Sequence, residues 1–242
     1  MITTKAIQKG IEDISRCSGM DIHRVFDDFL NYIIHFFCIN DVEIQWNYTK
    51  EETGKFSKLM GDLFSVYSEN IEALSWYDAF GEIYEQLTQS PGQRSSFAQF
   101  FTPPAISDLL SLFDNKENCK VVGDPTAGSG RNLLAYNAKH LGTYMIAEDI
   151  DSMCCKMCAL NFLIHGIEGE VTCHDSILIS EPAFSFRINY GLNNRCSEFK
   201  GIPHIERISA ENATIMKMWE QKKQYHEQNL HHTPQKKQLE LF

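Results

Sequence analysis

The stretch Asp124-Pro125-Thr126-Ala127-Gly128-Ser129-Gly130 holds the residues best suited to chemistry. It follows Val121-Val122, which reads as a short buried strand, and precedes a helical pattern from about Arg131 to His140. Glycine at 128 and 130 permits positive φ and has no Cβ, so a ligand can lie against bare backbone. The helix start behind the turn offers free N–H groups. Asp124, at the strand end, can hold a cationic amine. The turn lacks the Lys-Ser/Thr of a phosphate loop and the spacing of a dinucleotide site. A second group is Ala147-Glu148-Asp149-Ile150-Asp151, after another strand pattern. An acid at that strand end is placed to accept both hydroxyls of a ribose. Asp149 is the choice, with Ile150 on the face of the base and Glu148 or Asp151 as alternatives. Asp151 also reads as the N-cap of the next helix. His174-Asp175 comes third, where a carboxylate can accept a hydrogen bond from an adenine amino group.

These groups need strands and helices in alternation. Strands are expected at Val121-Val122, Thr143–Ala147 and Glu170–Cys173, with Phe184–Tyr190 a candidate fourth. Helices are expected at about 131–140 and 151–165, and another opens at Pro103-Pro104 with Ile106, Leu109, Leu110 and Phe113 as its apolar face. The alternation predicts an α/β domain with a parallel sheet over about 91–190. Residues 1–90 read as a helical domain. Ile22, Val25, Phe26, Phe29, Leu30, Ile33 and Phe37 recur at helical steps, a second helix starts near Thr49, and a third runs from about Ser75 to Leu87. Gln89-Ser90-Pro91-Gly92 is a turn cluster. Residues 191–242 read as a loop, a polar helix from Glu211 to about Leu230, and a loose tail.

The motifs in this order resemble the N6-adenine DNA methyltransferases, in particular the modification subunit of type I restriction-modification systems. Phe97-Ala98-Gln99-Phe100-Phe101-Thr102-Pro103-Pro104 matches that family's Q-F-F-T-P segment, and Tyr77 to Glu85 resembles the helix before it. Asp124 to Gly130 matches D-P-x-x-G-x-G, while Asp149 and Asp175 match the ribose and adenine acids. The resemblance covers about residues 75–180. It implies a Rossmann-like domain that binds S-adenosylmethionine. Phe101, Thr102 and Pro103 would meet the methionine end, with Thr102 touching its carboxylate. Asp124, Thr126, Gly128 and Gly130 would hold the amino-acid part, Asp149 and Ile150 the nucleoside, and Asp175 the adenine N6. The sequence departs from the family in one respect. It has no Asn/Asp-Pro-Pro-aromatic motif after the third acid, so no catalytic residue is assigned. Ser180-Glu181-Pro182-Ala183-Phe184 and Asn189-Tyr190 are the nearest fragments. The methyltransferase sheet of the family has seven strands, so the domain reads as partial: a partner chain completes it or supplies DNA specificity, or the chain binds the cofactor without methylating, or another residue set replaces the motif.

Composition sets outer limits. The chain has 242 residues with 43 % hydrophobic and 22 % charged, which excludes a disordered chain. Its net charge is -10, with 7 basic and 15 acidic residues in 1–90 (net -8) against 9 and 6 in 182–242 (net +3). Such a chain does not advertise DNA binding by itself. Phe29–Cys38 is too short and too polar to span a membrane, and the first residues have no signal-peptide core, so a cytoplasmic location is expected. The eight cysteines then read as thiols. Cys155 and Cys158 lie in a predicted helix without a second ligand pair, and no metal site is expected. The C-terminal Gln238-Leu239-Glu240-Leu241-Phe242 resembles the Q-L-x-L-F peptide that docks bacterial replication and repair proteins on the polymerase sliding clamp. Two readings follow: a methyltransferase-like protein acting on DNA adenine, or a non-catalytic accessory protein tethered to the clamp through Gln238, Leu239, Leu241 and Phe242.

Overall fold

Isoleucines at positions 7, 11 and 14 bury one face of helix α1 (Thr4–Ser18), which stops where Gly19 turns left-handed at φ 70. Helix α2 (Ile22–Phe37) begins with the Asp21 carboxylate accepting the N–H groups of His23 and Arg24. Its fully buried Val25, Phe26, Phe29, Leu30 and Ile33 are the expected stripe, each worth about 1.5–3 kcal/mol of burial. Helix α3 (Lys50–Leu74) opens in a capping box between Thr49 and Glu52. It ends at Ser75, whose φ of 72 breaks the helix. The third helix therefore starts later than the sequence pattern suggests, as α4 (Ala79–Thr88). This computed structural model describes residues 3–40, 45–88, 101–113 and 119–230.

After α5 (Pro104–Leu110) the chain alternates: β1 (Val121–Asp124), α6 (Arg131–Asn137), β2 (Tyr144–Asp149), α7 (Ser152–Ile164) and β3 (Gly169–Cys173). β4 (Phe184–Ile188), β5 (Ile205–Ile208), a short 3₁₀ turn and α8 (Thr214–Leu230) follow. The sheet order is β1-β2-β3-β4-β5. β1, β2 and β3 are parallel, as the helical crossovers require, but β4 runs antiparallel to β3 and β5 antiparallel to β4. The expectation of a parallel sheet is corrected to a mixed one. Only residues 174–183 join β3 to β4, without a helix, and a parallel return needs a dozen or more residues. β5 was hidden because only four residues carry it and Glu206-Arg207 interrupts the apolar pattern.

One further expectation changes. Val121-Val122 is not a buried strand. β1 is the edge of the sheet, and Val121 is 47 % exposed. The face of α5 that packs inward carries Ser107, with Ser111 just beyond it, while Ile106, Leu109 and Leu110 face out. Asp151 caps α7 by accepting from Met153 and Cys154, as its position suggested. Cys154, Cys155 and Cys158 are buried in that helix as thiols. Among the described residues no helix is long and apolar enough to cross a membrane.

One apolar cluster runs from Ile7 through α7 to Ile205, so the N-terminal helices pack on the sheet. A polar centre is set into it. The buried Asp78 carboxylate accepts from Arg131 Nε at 2.7 Å, Ser129 Oγ at 2.6 Å, Asn161 Nδ2 at 2.8 Å and the Gly81 N–H at 2.8 Å. Gly81 must lack a Cβ, which would lie 2.1 Å from Asp78 Oδ2. Arg131 also donates to both Glu85 oxygens and to the Thr102 carbonyl. Burial opposes its charge, but Asp78 and Glu85 outweigh that and raise its pKa above the ordinary guanidinium value. Asn161 reaches on to Tyr67, which donates to it at 2.6 Å.

Removing Asp78 would leave a buried guanidinium short of its main partner. Asp78→Ala is expected to cost about 3–5 kcal/mol in urea denaturation, and Asp78→Asn less. A loss below about 1 kcal/mol for the alanine variant would show that Glu85 alone holds Arg131. His165 gives a second expectation. Its Nε2 accepts the Tyr77 N–H at 3.2 Å and its Nδ1–H donates to the Asn161 carbonyl at 2.7 Å, a neutral arrangement. Burial lowers its pKa below the ordinary 6.5. The unfolded chain then binds the proton more readily, so this contribution is complete above pH 6.5 and is lost as the pH falls toward the folded-state pKa. Melting temperatures between pH 8 and 5 should fall more steeply for the natural chain than for His165→Gln; equal slopes would remove His165 from the account.

Candidate active site at the ends of β1, β2 and β3

The parallel register brings the expected acids to one edge of the sheet. Asp124 ends β1, Asp149 ends β2, and Asp175 lies two residues past β3. The turn between β1 and α6 needs its glycines. Gly128 and Gly130 have φ of 55 and 93. A Cβ on Gly128 would lie 3.0 Å from the Phe101 ring, and one on Gly130 2.9 Å from Cys158 Sγ. The turn is tied to β2 by the Ala127 N–H donating to the Glu148 carbonyl at 2.9 Å, and the Gly128 N–H donating to Asp149 Oδ2 at 2.8 Å. Ser176 Oγ donates to the Pro125 carbonyl at 2.9 Å, which draws the loop after β3 to the same place.

Each acid already has backbone duties. Asp124 accepts the Thr126 N–H at 3.0 Å and Asn132 Nδ2 at 3.3 Å. Asp149 accepts from Gly128 and, through its other oxygen, from the Asp151 N–H. Asp175 Oδ1 accepts from both Ile177 and Leu178 at 2.9 Å. A carboxylate offers about four acceptor sites, so these bonds orient the groups and leave capacity for a ligand. The alternatives to Asp149 are otherwise engaged. Glu148 is buried and 2.7 Å from His174 Nε2, and Asp151 caps α7. Ile150 is 69 % exposed beside Asp149, an apolar shelf open to solvent.

Phe101, Thr102, Thr126, Gly128, Ser129 and Arg131 help to line a cavity of about 70 Å³. It suits one end of a ligand, since sites that take a whole drug-sized molecule run to about 300–1,000 Å³. Phe101 is held over the turn by Tyr84, with ring centres 5.6 Å apart, and by the Arg131 guanidinium 5.2 Å from its ring. Pro103 is the N-cap of α5. Burial first, then Asp124, Asp149 and Asp78, push the Cys158 thiol well above its usual pKa, so it stays neutral behind Gly130.

Two residues of the site's support carried no local signal. Asp78 and Arg131 stand 53 positions apart and meet only in the fold. An arginine directly after a glycine turn was the available clue. Asn189, nearest in kind to a catalytic asparagine, is fully buried. Its amide donates to the carbonyls of Phe162, Leu163 and Ile167, and its oxygen accepts the His204 N–H. Tyr190 lies against the Arg187 guanidinium. Ser180 Oγ accepts the Asp175 N–H, and the Ala183 N–H donates to Cys173 at the start of β4. Phe97 to Phe100, His231-His232 and the terminal Gln238 to Phe242 lie outside the described residues.

A family model described as N-6 DNA methylase matches residues 75–233. No curated protein and no solved structure matches the chain. The family match takes in α4 with Asp78, the glycine turn, all three acids and the whole sheet. With well over half of its length covered, this chain belongs to the N-6 DNA methylase family.

Proposed function

We propose that the chain binds S-adenosylmethionine across the ends of β1 and β2, as the cofactor-holding component of a DNA adenine-N6 methyltransferase of the restriction-modification type. The observation that carries this reading is the Asp149 carboxylate, held 2.8 Å from the Gly128 N–H at the mouth of a glycine turn. Thr102 and the N–H groups where the turn enters α6 suit an amino-acid carboxylate, and Asp124 suits its ammonium. The remaining acceptor sites of Asp149 suit two ribose hydroxyls, Ile150 suits the adenine face, and Asp175 suits the adenine amine. Bound there, the cofactor supplies an electrophilic methyl group.

The base-holding groups come from another chain on this reading. Asn189 has both amide hydrogens committed to backbone carbonyls and its oxygen accepting the His204 N–H, and it is buried. The net charge of -10 repels a phosphate backbone, so a partner also supplies much of the positive field and the target specificity.

Titration calorimetry with S-adenosylmethionine should show binding to the natural chain. Asp149→Ala should weaken it by about 10- to 100-fold, the value of hydrogen bonds to a charged acceptor. Ile150→Ala, exposed and without a role in the fold, should weaken it less. Unchanged affinity in Asp149→Ala would move the site elsewhere. With methyl-labelled cofactor and unmethylated DNA the chain alone should leave the DNA unlabelled. Label in adenine would overturn the need for a partner.

A further inference from the structure

We propose that two copies of this chain pair through the free edge of β1, making a two-fold dimer in which the sheets join and the α5 helices meet. The inference does not depend on what the glycine turn binds.

β1 pairs only with β2 among the described residues. In a parallel ladder successive residues turn their backbone groups to alternate sides. The Lys120 carbonyl accepts the Tyr144 N–H, so Lys120, Val122 and Asp124 face β2, while Val121 and Gly123 face outward. Such an edge is a template for another strand. Among the described residues the Val121 carbonyl accepts only from the Cys119 thiol, at 3.1 Å.

The sequence of the edge selects the occupant. An axis through Val122 runs two β1 strands antiparallel. Val121 then stands opposite Gly123 of the partner subunit, and both have their N–H and C=O directed at the gap. Two such pairs give four hydrogen bonds. The same register sets Lys120 opposite Asp124 of the partner subunit, an opposite-charge pair at each end. A shift by two residues loses both charge pairs, and a shift by one turns the backbone groups out of phase.

The helix beside the strand agrees. Asn132 ties α5 to the end of β1 by taking the Ser107 hydroxyl bond and donating to Asp124. Ile106, Leu109, Leu110, Leu112 and Phe113 are exposed there, up to 71 % for Phe113. Val121 is 47 % exposed as well, so the edge strand and the helix tied to it both carry uncovered apolar side chains. The one charged side chain described on this helix, Asp108, is held by Trp76 Nε1 at 2.7 Å. The face is therefore close to neutral, and the acidic chain can meet its copy there without local repulsion. An axis perpendicular to the sheet puts both helices on the same side, where their leucines cover each other. It also places Lys120 of the partner subunit beside each glycine turn.

Sedimentation velocity at micromolar concentration should give a particle of twice 27.8 kDa. Leu112→Glu and Lys120→Glu, both at exposed positions, should raise the dimer dissociation constant at least tenfold with unchanged circular dichroism. Val122→Cys should give, on mild oxidation, a disulfide-linked dimer whose cross-link maps to position 122 in both chains. A monomeric natural chain would overturn the proposal, and so would a dimer that both charge variants leave intact.

Discussion

The Asp78 carboxylate is the constraint on which the other features rest. It sits 3 % exposed between the N-terminal helices and the sheet, and it takes hydrogen bonds from α4, the glycine turn, α6 and α7. A carboxylate removed from water is tolerable only when its lone pairs are filled and its charge is met. Here both conditions hold only if four segments stand in one arrangement. The Arg131 guanidinium adds Glu85 and the Thr102 backbone to the same group. The start of α6, and with it the glycine turn, therefore cannot move independently of the segment that carries Phe101 and Thr102. That coupling makes the small cavity a consequence of the core rather than of a loop.

The same logic explains why the three acids are fixed before any ligand arrives. Parallel strands deliver their C-terminal ends to one edge, and each acid accepts N–H groups of its own turn. A side chain already held in one rotamer loses little entropy when a ligand binds. Glu148 shows the contrast. It neighbours Asp149 in sequence but points into the sheet toward His174, because alternate residues of a strand face opposite sides.

What was legible in the sequence was local. The glycine turn, the strand-end acids, the helix start at Thr49 and the cap at Asp151 each depend on residues within a few positions of one another. What was not legible depended on distant partners. The direction of β4 turns on the length of the 174–183 connection, and the exposure of α5 turns on which neighbours exist to cover it. The apolar face of α5 was legible but its exposure was not, since periodicity reports a preference for burial and says nothing of what supplies it. Asp78 and Arg131 were likewise invisible as a pair, because a buried ion pair has no spacing rule.

The reversal of β4 has consequences at both sides of the sheet. By returning antiparallel beside β3, it brings Asn189 over the end of α7, where three carbonyls and the His204 N–H use up its amide. No strand is then left among the described residues to lie on the other side of β1. In open α/β sheets a ligand sits in a crevice with strands on both sides of the switch in winding direction. Among the described residues the glycine turn has β2 on one side and no strand on the other. α5, with its exposed leucines, is tied to the end of β1 through Asn132. A sheet edge with outward backbone groups and an apolar helix beside it is a costly surface to leave in water. The wall missing from the crevice and the cover missing from α5 are thus one deficiency, and a strand added at β1 removes both.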